Sequence, residues 1–138
     1  MRLIGLDYGS ARIGVALGDT ETRVASPWNV IINDSIEDTV QRLQDLMKRE
    51  KAEAVIVGIP RPLSDQSRET EQAKEIRVFI EDLKKAGFTV FEENETLTSK
   101  IAADQVKEMG QKGKRDDLAA AAILQGYLDR AGFPPSRE

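Results

Sequence analysis

The hydrophobic pattern of this chain changes its period after residue 32, and that change limits the folds that the chain can adopt. Up to this point apolar residues alternate with a period of two, which is typical of strands. The alternation predicts three strands over residues 2–7, 12–17 and 24–32, the last of them interrupted at Pro27. Because residues 8–11 are the only link between the first two strands, these strands form an antiparallel hairpin, and the proline suits an edge strand.

Helical spacing follows, broken by two short apolar runs. Ile36, Val40, Leu43 and Met47 form one apolar stripe, which predicts a first helix. Asp34 and Glu37 are predicted to form its capping box. The apolar runs at 54–57 and 88–91 predict a fourth and a fifth strand. Further helices are predicted at about 68–86, ended by Gly87 as its C′ residue, and at about 99–109 and 116–131.

This order of elements indicates an α/β fold. A three-stranded meander followed by βα units predicts one mixed five-stranded sheet with helices on both faces. The 138 residues, of which 40% are hydrophobic, suffice for one domain over 1–138, and residues 134–138 are expected to form a flexible tail.

The composition removes much of the usual catalytic chemistry, because the chain has neither cysteine nor histidine. Disulfides, thiolate nucleophiles, Cys/His zinc sites and histidine bases are all excluded. Carboxylates with a hard metal ion remain, as do Lys, Ser, Thr and Tyr.

The net charge of −4 and the pI near 5.0 mean that nucleic acid would have to bind to a local basic patch. No apolar run approaches the roughly 18 residues of a membrane span, and the amino terminus lacks the layout of a signal peptide. We therefore expect a cytoplasmic protein without a membrane partner.

Acidic residues occur where the predicted sheet would gather them. Asp7 ends the first strand, Glu95 follows the fifth, and Asp116 or Asp117 opens the last helix. Three carboxylates at the carboxyl ends of parallel strands could hold Mg²⁺ or Mn²⁺ for phosphodiester hydrolysis. The residues alone leave other roles open: Asp7 can accept hydrogen bonds in a turn, Asp116 and Asp117 can cap a helix, and 92–95 can be a solvated strand end.

Four sequence blocks resemble motifs of the YqgF/RuvX family. IGLDYGSARIGVA at 4–16 is similar to its opening motif, and VIVGIP at 55–60 to its central strand and loop. NETLTS at 94–99 is similar to its acidic motif, and KGKRDDLAA at 112–120 to its closing motif. The blocks occur in the family's order and cover nearly the whole chain.

This resemblance implies an RNase H-like fold and a metal-dependent nuclease. Members are described as Holliday junction resolvases and as nucleases that mature the 5′ end of pre-16S ribosomal RNA. The catalytic and metal-binding residues then carry over as Asp7, Glu95 and Asp116, which would hold one or two Mg²⁺ or Mn²⁺ ions, while Asp117 occupies a variable position. The implied partners are structured RNA or branched DNA, and the chain would act as a monomer or a homodimer.

The chain departs from the family pattern in its acidic motif. Asn94 stands where the family has aspartate, and Thr96 where it has arginine. Asn94 and Thr98 are expected to orient the metal ligands by hydrogen bonding to them, without binding the metal themselves. The loop at 61–65 also lacks the family's usual glycine. These changes leave open a nucleic-acid-binding module with weakened catalysis.

Local cations provide the predicted nucleic-acid contacts. Lys112, Lys114 and Arg115 directly precede Asp116, and Arg12 follows Asp7 closely. Trp28 fits either the core or a stacking platform for bases. A sugar-kinase or actin-like nucleotide-binding protein would also begin with a strand, Asp-x-Gly and a hairpin, but that architecture needs two such domains.

Overall fold

The computed structural model describes residues 1–60, 71–94 and 116–131. In chain order the elements are β1 (Arg2–Tyr8), β2 (Arg12–Asp19), β3 (Val24–Ile32), α1 (Ile36–Glu50), β4 (Ala52–Ile59), α2 (Glu71–Lys85), β5 (Val90–Asn94) and α3 (Asp116–Ala131). The predicted helix at 99–109, the start of the predicted helix at 68 and the predicted tail at 134–138 lie outside the described residues.

The five strands form one mixed sheet in the order β3-β2-β1-β4-β5. The meander β1-β2-β3 is antiparallel, whereas β1, β4 and β5 run parallel to one another. The predicted mixed sheet is therefore confirmed, and the carboxyl ends of the three parallel strands lie along one edge together with the start of β2.

Side chains that alternate along the strands pack into two separate cores, one on each face of the sheet. Val55 and Val57 of β4 lie in the cluster that α1 and α2 cover, whereas Ala54 and Ile56 lie in the cluster that α3 covers. Strand residues point to opposite faces in turn, so a central strand that is buried on both sides must be apolar throughout. Helices on both faces are thereby confirmed.

The turn after α2 shifts β5 along the chain relative to the prediction at 88–91. Gly87 has φ = 101°, and its N–H donates to the Lys84 carbonyl over 3.0 Å. The Phe88 N–H donates to the Leu83 carbonyl over 3.1 Å, which completes a Schellman motif. The role predicted for Gly87 is confirmed, but Phe88 belongs to the turn, so the strand begins at Val90.

The cap of α1 differs from the predicted pair Asp34 and Glu37. Ser35 is the N-cap, and its hydroxyl accepts a hydrogen bond from the Asp38 N–H over 3.1 Å. A side chain caps best from the residue directly before the first helical one, because from there it reaches the N–H three residues on. Asp34 lies one residue too early for that geometry.

The predicted interruption of β3 at Pro27 is wrong, since the strand continues from Val24 to Ile32. Pro27 is tolerated because β3 is the edge strand, where no neighbour requires its missing N–H. The irregularity falls one residue later. Val15 pairs with Asn29 and Ala16 with Pro27, so Trp28 is the extra residue of a β-bulge.

A glutamine from α3 covers part of this open edge. The side-chain amide of Gln125 accepts a hydrogen bond from the Ala25 N–H over 2.9 Å and donates one to the Arg23 carbonyl over 2.7 Å. The amide thus makes the two hydrogen bonds that a peptide group of a sixth strand would make. Further along, the Asn29 side chain accepts from the Val30 N–H over 2.8 Å. Exposed edges invite pairing with other chains, and these contacts block that pairing.

Replacing Gln125 by alanine should lower the free energy of unfolding by about 1 kcal/mol, because Ala25 and Arg23 each lose a hydrogen-bond partner. The expected fall in melting temperature is about 3–5 °C, measured by circular dichroism. Gln41→Ala is the matched control, since the Gln41 side chain donates a hydrogen bond to Asp45 of the same helix at the surface. Equal melting temperatures of the two variants would contradict this role of Gln125.

Among the described helices, none combines the length and the apolar composition that crossing a membrane requires.

Candidate active site

The start of α3 lies directly on the β1–β2 hairpin because glycines leave room for it. A Cβ atom on Gly14 would lie 1.9 Å from the carbonyl oxygen of Asp116, and one on Gly5 would lie 2.7 Å from Leu124 Cβ. Both distances are shorter than any real contact, so only glycine allows this approach. Gly14 is also the cross-strand partner of Asp7. The contact therefore brings the first residue of α3 next to the end of β1.

Asp7 and Asp116 face the same side of the sheet. Leu3 of β1 lies in the core beneath α3, and strand alternation puts Gly5 and Asp7 on that same side. Tyr8 points to the other side, where its ring packs against Phe79 with the ring centroids 4.6 Å apart. The two aspartates thus come together from positions 109 residues apart in the chain.

Both carboxylates line one cavity of about 150 Å³. Its remaining lining consists of the β1–β2 turn, Arg12 and Gln72 at the start of α2. Gln72 lies within the first turn of a helix on the opposite face, and no motif or periodicity in the sequence pointed to it. Its amide adds a neutral donor and acceptor beside the charged side chains of Asp7, Arg12 and Asp116.

An arginine balances the more buried carboxylate. Asp116 is 7% exposed, and its Oδ2 lies 3.3 Å from Nε of Arg12. This ion pair offsets part of the cost of burying a charged side chain. The Arg12 side chain itself stays about half exposed while it lines the cavity.

The turn that shapes the cavity is held from behind by Asn33. Its side-chain amide donates to the Gly9 carbonyl over 2.9 Å, and its backbone N–H donates to the Ala11 carbonyl over 3.0 Å. The hydroxyl of the buried Thr39 donates to the Asn33 side-chain oxygen over 3.3 Å. The position of the hairpin turn is therefore tied to the first turn of α1.

The acidic run on β5 is only partly a solvated strand end. Glu92 pairs with Arg77 at the surface, but Glu93 is 3% exposed and accepts a hydrogen bond from Arg130. This hydrogen bond and the nearby charge of Glu93 raise the pKa of Arg130. Burial, and secondarily the charge of Glu93, raises the pKa of Tyr127. Glu93 therefore joins β5 to the last turns of α3.

The structure brings together three of the predicted site residues: Asp7, Arg12 and Asp116. Asn94 is the exposed last residue of β5 and pairs in register with Ile59. The predicted residues that lie outside the described part of the chain are Glu95, Thr98, Lys112, Lys114 and Arg115. Within residues 1–60, 71–94 and 116–131, no set of three acidic side chains is placed to hold a metal ion.

Solved structures with a similar fold include RuvC and a viral resolvase. RuvC of Thermus thermophilus, solved in complex with a Holliday junction substrate, has a TM-score of 0.58 at 18% identity, with 96% of each chain covered. The Fowlpox virus resolvase, solved with Holliday junction DNA, has a TM-score of 0.55 at 13% identity, with 96% of this chain and 100% of that chain covered. These similarities confirm the RNase H-like fold.

Closer relatives share about a third of the sequence. A protein of Sulfurihydrogenibium sp. (strain YO3AOP1) named "Putative pre-16S rRNA nuclease" is 37% identical, over 96% of this chain and 92% of its own. A protein of Thermus thermophilus with the same name is 34% identical, over 94% of this chain and 98% of its own. The profile of the family described as RuvX, Holliday junction resolvase, matches residues 1–130. This chain therefore belongs to the RuvX family.

Proposed function

We propose that this chain is a metal-dependent endonuclease that cleaves structured nucleic acid, and that its substrate is the 5′ end of precursor 16S ribosomal RNA. The observation that carries the proposal is the meeting of Asp7 and Asp116 in one cavity, where the fold places the carboxyl ends of its parallel strands. Membership of a nuclease family supports it. Such a substrate assigns the protein to the cytoplasm.

The donor atoms in the cavity suit a hard divalent cation. Mg²⁺ in proteins is held through one or two carboxylates together with water and substrate phosphate. Asp7 and Asp116 supply two carboxylates to the cavity. We assign Glu95 as a third ligand, because it is the glutamate of the block at 94–99 that resembles the family's acidic motif.

A bound Mg²⁺ or Mn²⁺ would supply a water of lowered pKa and stabilise the charge on the leaving oxygen. The chain's own residues provide the rest. Arg12 pairs with the Asp116 carboxylate and, from the same cavity, can donate to a phosphate oxygen. Gln72, which lines the same cavity, can donate to the sugar-phosphate backbone.

The basic residues that precede α3 in the chain are proposed to bind the substrate as well. Lys112, Lys114 and Arg115 occur immediately before Asp116 in the chain, so phosphates beside the scissile one are their proposed ligands. These cations would offset the repulsion between a polyanionic substrate and a chain whose net charge is −4.

The names of the relatives and of the family suggest two candidate substrates. Curated relatives at 34–37% identity are named for pre-16S rRNA, which favours RNA. The family description names a Holliday junction resolvase, which makes a four-way DNA junction the second candidate. Asn94 and Thr96, where the family pattern has aspartate and arginine, favour a third outcome, in which the chain binds nucleic acid and cleaves it poorly.

A comparative cleavage assay tests the proposal. The protein is incubated with a labelled pre-16S 5′-end RNA and with a labelled four-way junction, each with Mg²⁺, Mn²⁺ or a chelator. We expect endonucleolytic cleavage of the RNA with either metal and none with the chelator. Preferential cleavage of the junction would overturn the assigned substrate. Binding of both substrates without cleavage in either metal would overturn the assigned activity.

A further inference from the structure

A groove on the face of the sheet opposite the two aspartates combines the chain's single tryptophan with two arginines. This tryptophan groove lies between β3 and α1 and has a volume of about 240 Å³. Val15, Leu43 and Leu46 form its apolar floor, and Trp28, Arg42 and Arg49 form its walls. The proposed reaction uses none of these residues.

The bulge in β3 presents Trp28 at the surface. Trp28 is the extra residue between two ladder pairs, and the residue is 38% exposed. The guanidinium of Arg49 lies 5.8 Å from the centre of the Trp28 ring, a cation–π distance. A large apolar ring that stays open to solvent beside a cation is the arrangement on which nucleic-acid bases stack.

Capture of another protein strand at this edge is disfavoured by the backbone. Gln125 takes the Ala25 N–H and the Arg23 carbonyl, Pro27 has no N–H, and Asn29 takes the N–H of Val30. Strand addition depends on such groups being open. Recognition at this edge must therefore use side chains.

The charges of the tryptophan groove fit a phosphate backbone. Arg42 and Arg49 both lie on α1 seven residues apart, which is two helical turns, so they share one face. Asp45 lies between them and already accepts a hydrogen bond from the Gln41 amide over 3.0 Å. The groove therefore carries two positive charges against one negative in a protein whose overall charge is −4.

We propose that the tryptophan groove binds one unpaired nucleobase of a single-stranded nucleic acid, stacked on Trp28, while Arg42 and Arg49 bind the flanking phosphates. This inference rests on the proposed function in that the occupant is a segment of the nuclease substrate. Ile32 pairs with Arg12, and Trp28 precedes Ile32 by four residues, so the groove lies roughly 13 Å along β3 from the end that carries the active site. A bound single strand would therefore cross the open edge of the sheet.

The emission of the single tryptophan reports on this site directly. The protein, in chelator so that no cleavage occurs, is titrated with a single-stranded RNA of about 12 nucleotides and with a blunt duplex of the same sequence. We expect saturable quenching of Trp28 by the single strand, and much weaker quenching by the duplex, whose bases are paired. Unchanged emission on adding the single strand, or equal quenching by the duplex, would overturn the proposal.

Substitutions then separate the tryptophan groove from general electrostatic attraction. Trp28→Leu should weaken single-strand binding about 5- to 100-fold in fluorescence anisotropy with labelled RNA, the range expected when one base loses its aromatic platform. Arg49→Ala should also weaken it, whereas Lys48→Ala should not. Lys48→Ala removes the same charge at the residue next to Arg49. Lys48, however, lines a different cavity, beside Ala52 and Gly87. Equal losses from Arg49→Ala and Lys48→Ala would contradict the proposal.

This inference and the proposed function can fail separately. Cleavage of the RNA without quenching of Trp28 would overturn the tryptophan groove and leave the nuclease intact. Quenching by the single strand with no cleavage in either metal would support the groove and overturn the nuclease.

Discussion

Asp7→Asn should lower metal-dependent cleavage by more than about 100-fold while leaving the fold intact. Asparagine keeps the shape of the side chain but removes the negative charge that binds a divalent cation. Changes to residues that merely support metal ligands already cost about 10- to 100-fold, so loss of a ligand should cost more. Asp7 is half-buried at the end of β1 rather than inside either core, so the melting temperature should change little. Single-turnover cleavage measures the effect.

A matched substitution tests whether charge alone explains the loss. Asp117→Asn removes the same charge one residue after Asp116, but Asp117 does not line the cavity. We expect it to cleave at nearly the wild-type rate. Metal binding gives a second readout, since Mn²⁺ should raise the melting temperature of the wild-type protein more than that of Asp7→Asn. Cleavage by Asp7→Asn at the wild-type rate would show that the active site lies elsewhere.

Gly14→Ala should both destabilise the protein and reduce cleavage by about 100-fold. The added methyl group would lie 1.9 Å from the Asp116 carbonyl oxygen, a backbone atom that cannot rotate away, so the start of α3 must move. Overpacking of this kind costs about 1–3 kcal/mol. A displacement of about 1 Å at reacting groups can cost about 100-fold in rate. Thermal unfolding and single-turnover cleavage measure the two effects.

Gly18→Ala provides the control on the same strand and the same face. Its nearest obstacle is Cδ2 of Leu124 at 2.8 Å, the end of a flexible side chain that can change its rotamer. We therefore expect a smaller loss of stability and nearly full activity. Similar activities of Gly14→Ala and Gly18→Ala would show that the contact at Gly14 does not position Asp116.

Local periodicity in the sequence is consistent with the face on which the structure places each aspartate. Strand alternation joins Asp7 to Leu3, and helical spacing joins Asp116 to Ala120 and Ile123. Leu3, Ala120 and Ile123 lie in the core between the sheet and α3. Both patterns repeat within a few residues, so they can be recognised in the sequence without knowledge of the tertiary structure. The mixed sheet and the helices on both faces follow from the same patterns.

The contacts that sequence reasoning missed depend on packing between distant elements. Gln72 reaches the cavity only because of the direction in which α2 crosses the sheet, and no spacing rule encodes that direction. Gly14 reads as an ordinary strand residue until α3 is placed on it. The bulge at Trp28 adds one residue to β3 and so reverses the facing of every later side chain in that strand, an irregularity that simple alternation cannot anticipate.

Gln125 and Asp116 belong to the same helix, and this connects two properties that are usually separate. The first residue of α3 supplies a carboxylate to the cavity, and a residue in its third turn covers the edge of the sheet. Any change that moves α3 away from the hairpin would therefore inactivate the site. The same change would expose the unpaired edge of β3, which could then pair with another chain. Inactive molecules of this kind should therefore also be the ones that self-associate.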